Sequence, residues 1–221
     1  MNIVGHRGAA GLAPENTLKS IQVARDLGLD VIELDIRKTK DRKLVVCHDK
    51  DLRRIAGIDK RISQLTLAEI KKVKTISGEP IPTLQEAIKE AGNITLLIEG
   101  KGSGWAEILS DIIRNTEFKK PPKVISFNLK ELSKFKNLCP KTDTIISDWH
   151  NPLKTIYFAS ESSTSGICVK FWVYHPLIYW LAKRNRLDQY VYTINNKFIA
   201  KIFHTLYPEV SIVTNRPDKL I

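Results

Sequence analysis

The chain has 221 residues, 43% of them hydrophobic and 27% charged, and a formal net charge of +11. This is an ordinary globular composition, long enough for a sizeable core, and it holds no run of about 18 apolar residues that would cross a bilayer. Three scattered cysteines, Cys47, Cys139 and Cys168, show no CxxC spacing, which argues against a disulfide framework or cysteine zinc site and for reduced, buried thiols. Met1 to Val4 leads straight to His6 without a basic segment and apolar stretch, so no signal peptide and a cytoplasmic location are expected.

Residues 2–5 form a predicted strand. Pro14-Glu15-Asn16-Thr17 then opens a helix, with Asn16 or Thr17 as cap, Leu18, Ile21, Val23 and Ala24 on its apolar side, and Gly28 at its end. Residues 30–36 are the second predicted strand, 39–42 a turn and 44–48 a returning strand. The link is too short for a parallel crossover, so the pair is an antiparallel hairpin. It brings His48 roughly opposite Leu34 and level with Glu33 and Asp35. Residues 50–82 are less regular, with one short capped helix near 63–70, and read as an insertion over the mouth of the domain. A helix over 83–88 and a strand over 94–99 follow. Helices then alternate with strands near 124–126, 144–147, 166–170, 190–194 and 210–214. Without the returning arm of the hairpin, the pattern predicts a (β/α)8 TIM barrel. It is a single domain over 1–221, with a small insertion after the second barrel strand. An open doubly wound sheet is the competitor, but Gly8 and Gly11 do not complete a GxGxxG phosphate loop.

Sites in a barrel of this kind sit at the C-terminal ends of the strands. His6 and Arg7 end the first strand, Glu33 and Asp35 the second, Glu99 and Lys101 the next. Strand side chains alternate, so Glu33 and Asp35 face the same way. Adjacent ionised carboxylates repel unless a cation lies between them. Three acids from two strands favour a hard divalent ion, Mg2+ or Ca2+, over salt bridges at the rim. His6 and His48 are candidate proton-transfer groups, since imidazole titrates near neutrality. His150, His175 and His204 fall in or near helices and receive no role. Arg7 can grip a phosphate oxygen through its fork and Lys101 can add a point charge, unless both only neutralise the carboxylates. A cationic pair in a metal site points to an anionic substrate. Cys47, beside His48, is read as packed. The lysines are scattered and read as a solvated face rather than a nucleic-acid site. In Phe171-Trp172-Val173-Tyr174 the rings are read as core except Trp172, which lines the pocket or meets lipid.

His6-Arg7-Gly8, Pro14-Glu15-Asn16-Thr17, Glu33-x-Asp35, Thr39-Lys40-Asp41 and His48-Asp49 together resemble the glycerophosphodiester phosphodiesterase family. The likeness continues more weakly through Leu52-x-Arg54, Ile81-Pro82-Thr83-Leu84, Glu99-x-Lys101 and Asn215-Arg216-Pro217-Asp218, nearly the full length. The resemblance implies Glu33, Asp35 and Glu99 as ligands of Mg2+ or Ca2+. It also implies hydrolysis of a small-molecule glycerophosphodiester to glycerol 3-phosphate and an alcohol, and an insertion in this place. His6 and His48 are then the acid and base, in either order, with Arg7, Lys101 and Trp172 on the substrate. Gly100, Tyr192 and Asn215 depart from the family's apolar residue, tryptophan and aspartate. A lysophospholipase D-type enzyme in peripheral contact with a membrane surface is the alternative. A non-enzymatic basic module for anions or nucleic acid is a third reading, disfavoured by retention of both histidines and all three acids; no specific nucleic acid is expected.

Overall fold

The computed structural model describes all residues, Met1–Ile221. Short runs rich in β-branched residues alternate with amphipathic helices, and the chain pairs those runs side by side. The strands are β1 (Asn2–Gly5), β2 (Val31–Lys38), β3 (Leu44–Val46), β4 (Asp51–Leu52), β5 (Ile58–Arg61), β6 (Thr95–Gly100), β7 (Lys123–Ser126), β8 (Asp143–Asp148), β9 (Gly166–Lys170), β10 (Asp188–Tyr192) and β11 (Ser211–Thr214). The helices are α1 (Leu18–Asp26), α2 (Arg53–Ala56), α3 (Leu67–Ile70), α4 (Leu84–Ala91), α5 (Ala106–Asn115), α6 (Leu129–Leu138), α7 (Pro152–Glu161), α8 (Pro176–Arg184) and α9 (Lys197–Leu206). β1, β2 and β6 to β11 pair in parallel, and β1 closes the circle by pairing with both β2 and β11. The result is a closed eight-stranded (β/α)8 barrel. None of its helices is long and apolar enough to cross a membrane.

Helix starts follow their caps. Thr17 accepts from the Ser20 amide at α1, Thr83 from Glu86 at α4, Asn128 from Glu131 at α6 and Asn196 from Phe198 at α9. Each satisfies an orphan N–H of the first turn and stabilises its helix by about 1 kcal/mol. Strand alternation divides the core. On β6, Leu96 and Ile98 face the helices, whereas Leu97 faces into the barrel with Val4, Ile125, Ile145, Cys168 and Val213. The same period turns Glu99, two residues beyond Leu97, into the barrel and towards its mouth.

The hairpin is antiparallel as expected, with Ile36 opposite Val46. Its returning arm ends as a strand at Val46, although the Cys47 amide still donates to the Asp35 carbonyl at 3.0 Å. His48 thus stands on the loop beyond the arm, at the register predicted for it. The insertion carries more structure than its sequence suggested. β4 and β5 form an antiparallel pair, and Leu52, Ile62, Leu65, Ile70 and Ile81 pack against Val45 and Cys47 of the hairpin arm. The single helix expected near 63–70 is split into a 3-10 turn, Ile62–Gln64, and α3. Thr66 and Glu69 form a capping box there, and that local pair overrides a start at Ser63.

Candidate active site

At the mouth, one oxygen each of Glu33, Asp35 and Glu99 lies within 4.8 Å of the others, and all three residues are buried. Burial, then Asp35 and Glu99, push the Glu33 carboxyl well above the usual range. Burial and then Asp35 push Glu99 up to about 7. Burial also raises Asp35, but Lys101 and Arg7 outweigh it and hold that carboxyl below its ordinary value. Lys101 Nζ lies 2.6 Å from Glu99 Oε1 and 3.2 Å from Asp35 Oδ1. Glu33 Oε1 is buried without a hydrogen-bond donor. Three hard oxygen donors this close together, one of them orphaned and two raised by burial and mutual repulsion, fit a divalent ion such as Mg2+ or Ca2+.

The loop after β1 shapes this cluster. Arg7 adopts φ 51° and Gly8 φ 82°. A Cβ on Gly8 would collide with Ser20 of α1, so only glycine lets the loop pack there. The twist aims the Arg7 amide at Glu33 Oε2, 3.0 Å away, and the Gly8 amide at the Glu33 carbonyl, 3.1 Å away. The Arg7 guanidinium donates to Glu15 Oε1 at 2.8 Å and approaches Asp35 Oδ2 to 3.4 Å. Asn16, also left-handed at φ 58°, clamps Asp35 from two sides. Its amide nitrogen donates to Oδ2 at 2.8 Å, and its amide oxygen accepts from the Asp35 amide at 3.1 Å.

The two histidines have different neighbours. His6 Nδ1 lies 2.6 Å from Asn215 Oδ1, and Nε2 lies 3.9 Å from Glu33 Oε2. Burial and the Arg7 charge lower its pKa to about 4. His48 Nδ1 lies 2.7 Å from Asp49 Oδ1. Asp49 accepts from Arg54 Nε at 2.5 Å, and Arg54 donates to Glu15 at 2.6 Å. One chain of charges therefore runs from His48 through Asp49, Arg54 and Glu15 to Arg7. Arg37 Nε adds a bond to the His48 carbonyl at 2.7 Å.

His6, Arg7, Glu33, His48, Glu99 and Lys101 line one cavity of about 210 Å3, facing Phe127, Trp149, Lys170 and Tyr192. Trp172 is not part of that lining. It is exposed on a 3-10 turn after β9, its ring 4.4 Å from Lys170 Nζ. Trp149, two residues beyond the inward Ser147, takes the place expected for it. Asn16, Glu15, Arg54, Asn215, Trp149 and Lys170 carry no local signal of a role. Glu15, Asn16, Arg54 and Asn215 sit inside the quoted motifs, but their partners are set by tertiary contact.

The family model described as the glycerophosphoryl diester phosphodiesterase family matches residues 6–219. The chain belongs to this family. It is 31% identical over 236 aligned residues to the protein YhdW of Bacillus subtilis, covering 100% of this chain and 97% of that one. It is 32% identical to a glycerophosphodiester phosphodiesterase of Caldanaerobacter subterraneus, over 69% of this chain and 71% of the relative. Among solved structures, an Oleispira antarctica phosphodiesterase in complex with the product sn-glycerol-3-phosphate superposes with a TM-score of 0.93 at 23% identity. That match covers 100% of this chain and 95% of the other, and it shows the shared barrel. The family's matched region includes every carboxylate and both histidines of the cavity.

Proposed function

We propose that the chain hydrolyses glycerophosphodiesters to glycerol 3-phosphate and an alcohol, with a divalent ion held by Glu33, Asp35 and Glu99. The carrying observation is the buried carboxylate cluster, with orphaned Glu33 Oε1, two of whose members, Glu33 and Glu99, line one cavity with both histidines. When bound, the ion supplies Lewis-acid stabilisation of charge on the phosphoryl oxygens. Lys101 and Arg7 keep Asp35 ionised and add positive potential where that charge develops. The Asn215 oxygen can only accept, so Nδ1 of His6 carries the proton and Nε2 keeps its lone pair. His6 therefore takes the proton from the attacking oxygen, whether water or the substrate's own glycerol hydroxyl. His48 gives its proton to the departing alkoxide, and the Asp49 carboxylate at Nδ1 stabilises the imidazolium that donates it. The cavity of about 210 Å3 suits a phosphate with one small arm inside and the other directed outwards.

Release of glycerol 3-phosphate from glycerophosphocholine, followed with and without EDTA, tests the reading. Activity should vanish on chelation and return with Mg2+ or Ca2+. Full turnover in excess EDTA, with no tightly held metal in the protein, would exclude the metal role of the three carboxylates.

A further inference from the structure

We propose that the rim of the barrel mouth above β8, β9 and β10 is a docking surface for an anionic lipid bilayer. This goes beyond the proposed reaction and does not depend on it. Five large apolar side chains stand out there: Trp149 (53% exposed), Leu153 (48%), Trp172 (62%), Leu177 (49%) and Phe198 (72%). Their positions share one geometry. Trp149 follows β8 and Leu153 lies in the first turn of α7. Trp172 follows β9 and Leu177 lies in the first turn of α8. Phe198 lies in the first turn of α9, after β10. Each therefore sits where the chain has just left the C-terminal end of a strand, at the mouth.

Trp149, Trp172 and Phe198 are not singly scattered residues. Lys170 Nζ lies 5.8 Å from the Trp149 ring and 4.4 Å from the Trp172 ring, joining those two. Phe171, next to Trp172, shares a surface hollow with Phe198 and Ile199. The apolar rim thus runs across three successive βα connections. An exposed apolar patch of this extent on a water-facing surface marks an interaction site.

Charge selects the partner. Lys154, Lys170 and Lys197 are interleaved with the apolar side chains, and none has a carboxylate partner. From Asp148 to Ile202 the acidic residues are Asp148, Glu161 and Asp188, and Asp148, which ends β8 at the mouth, is held by the His150 and Asn151 amides. Glu161 closes α7 and Asp188 opens β10, so both lie at the other end of the barrel. Tryptophans, aliphatic tips and lysines without a carboxylate partner match a headgroup layer over an acyl boundary. The rings and aliphatic groups enter the boundary while the ammonium groups meet anionic headgroups. Trp149 and Lys170 also line the site cavity, so docking would hold the mouth against the headgroup layer.

The test is sedimentation of the full chain with vesicles of phosphatidylcholine alone and of phosphatidylcholine containing about one-third phosphatidylglycerol, at physiological salt. The expected result is a partition coefficient at least about tenfold higher for the anionic vesicles, with a blue shift of tryptophan emission on binding. Leu177→Ser with Phe198→Ser, and separately Lys154→Glu with Lys197→Glu, should each lower that coefficient at least about tenfold while the thermal melt is kept. Three outcomes would overturn the proposal: no retention on anionic vesicles, retention that neither double variant weakens, or a wild-type dimer in sedimentation velocity that Phe198→Ser splits. The last would assign the rim to a second copy of the chain.

Discussion

In the proposed mechanism Asn215 holds the His6 tautomer, so that one side chain controls the chemistry of another. Replacing it by Ala frees the imidazole to rotate and to carry its proton on either nitrogen. We expect Asn215→Ala to lower kcat about tenfold with little change in KM, and His6→Ala or His48→Ala to lower kcat on the order of a hundredfold, all with native circular dichroism. A folded His48→Ala protein with near-normal kcat would remove that histidine from the reaction. The carboxylates give a second prediction. Glu99 holds its proton up to about 7 in the fold against 4.5 ordinarily, and Glu33 is raised as well. A proton held more tightly in the fold contributes stability at low pH, and that stability is lost as pH rises through the folded value. His6, lowered to about 4 by burial, acts in the opposite sense as pH rises from about 4 to 6.5. A divalent ion must displace the protons on Glu33 and Glu99, so its binding strengthens as pH rises. The rise in Tm caused by Mg2+ or Ca2+ should therefore be small near about pH 5 and largest above about pH 7. Scanning calorimetry across that range checks it, and a metal-induced shift that does not change with pH would contradict it. Glu33 and Asp35 were legible in the sequence because a strand repeats every two residues. Glu15, Asn16 and Arg54 were not, because their partners are brought in by the loop after β1 and by the insertion.

The strand end at Gly100 shows the same limit for an element. The sequence displays a glycine where the family resemblance implies an apolar residue, without giving the reason. In the fold, a Cβ at Gly100 would lie inside the ring of Trp105, which is fully buried at the start of α5 with its ring centroid 6.1 Å from that of Phe135. Trp105 fills the volume that a side chain at 100 would take. Gly100→Val should thus destabilise the protein by about 1–3 kcal/mol through overpacking, and more if the barrel cannot yield. Trp105→Ala in the same chain should recover part of the loss, which separates steric conflict from a simple loss of glycine. Urea denaturation of the two single variants and the double variant measures the coupling, and strictly additive losses would refute it. The antiparallel pairing of the β2–β3 hairpin, by contrast, was legible, because its turn is too short for any other connection, although the returning strand is two residues shorter than its expected 44–48. Its consequence for His48 followed from register alone, even though the strand stops at Val46.

The barrel as a whole was readable from the count of alternating strands and helices, whereas the distribution of its charge was not. The insertion packs its small core on Val45 of β3 and on Cys47 just beyond it, so it has no separate foundation. We take 1–221 as one domain and expect a single unfolding transition by near- and far-ultraviolet circular dichroism. The net charge of +11 lies largely outside the site, where Arg7, Lys101 and Arg54 are already engaged by Glu15, Asp35, Asp49 and Glu99. The excess therefore acts at a distance. It raises the rate at which an anionic substrate meets the protein, and salt screens it over a Debye length of about 8–10 Å. For a water-soluble glycerophosphodiester whose alcohol carries no positive charge, raising salt from low to physiological without lipid should lower kcat/KM a few-fold and leave kcat nearly unchanged. Duplex DNA should bind at low salt without sequence preference and be lost at physiological salt, because only phosphate contacts are available. The apolar rim behaves differently, since salt does not screen burial of Trp149, Leu177 and Phe198. Retention on anionic vesicles should accordingly persist at a salt concentration that abolishes DNA binding. Parallel titrations with DNA and vesicles read this directly: equal salt sensitivity of the two would mean that the lysines act alone, and DNA binding that survives physiological salt would mean that the charge serves nucleic acid.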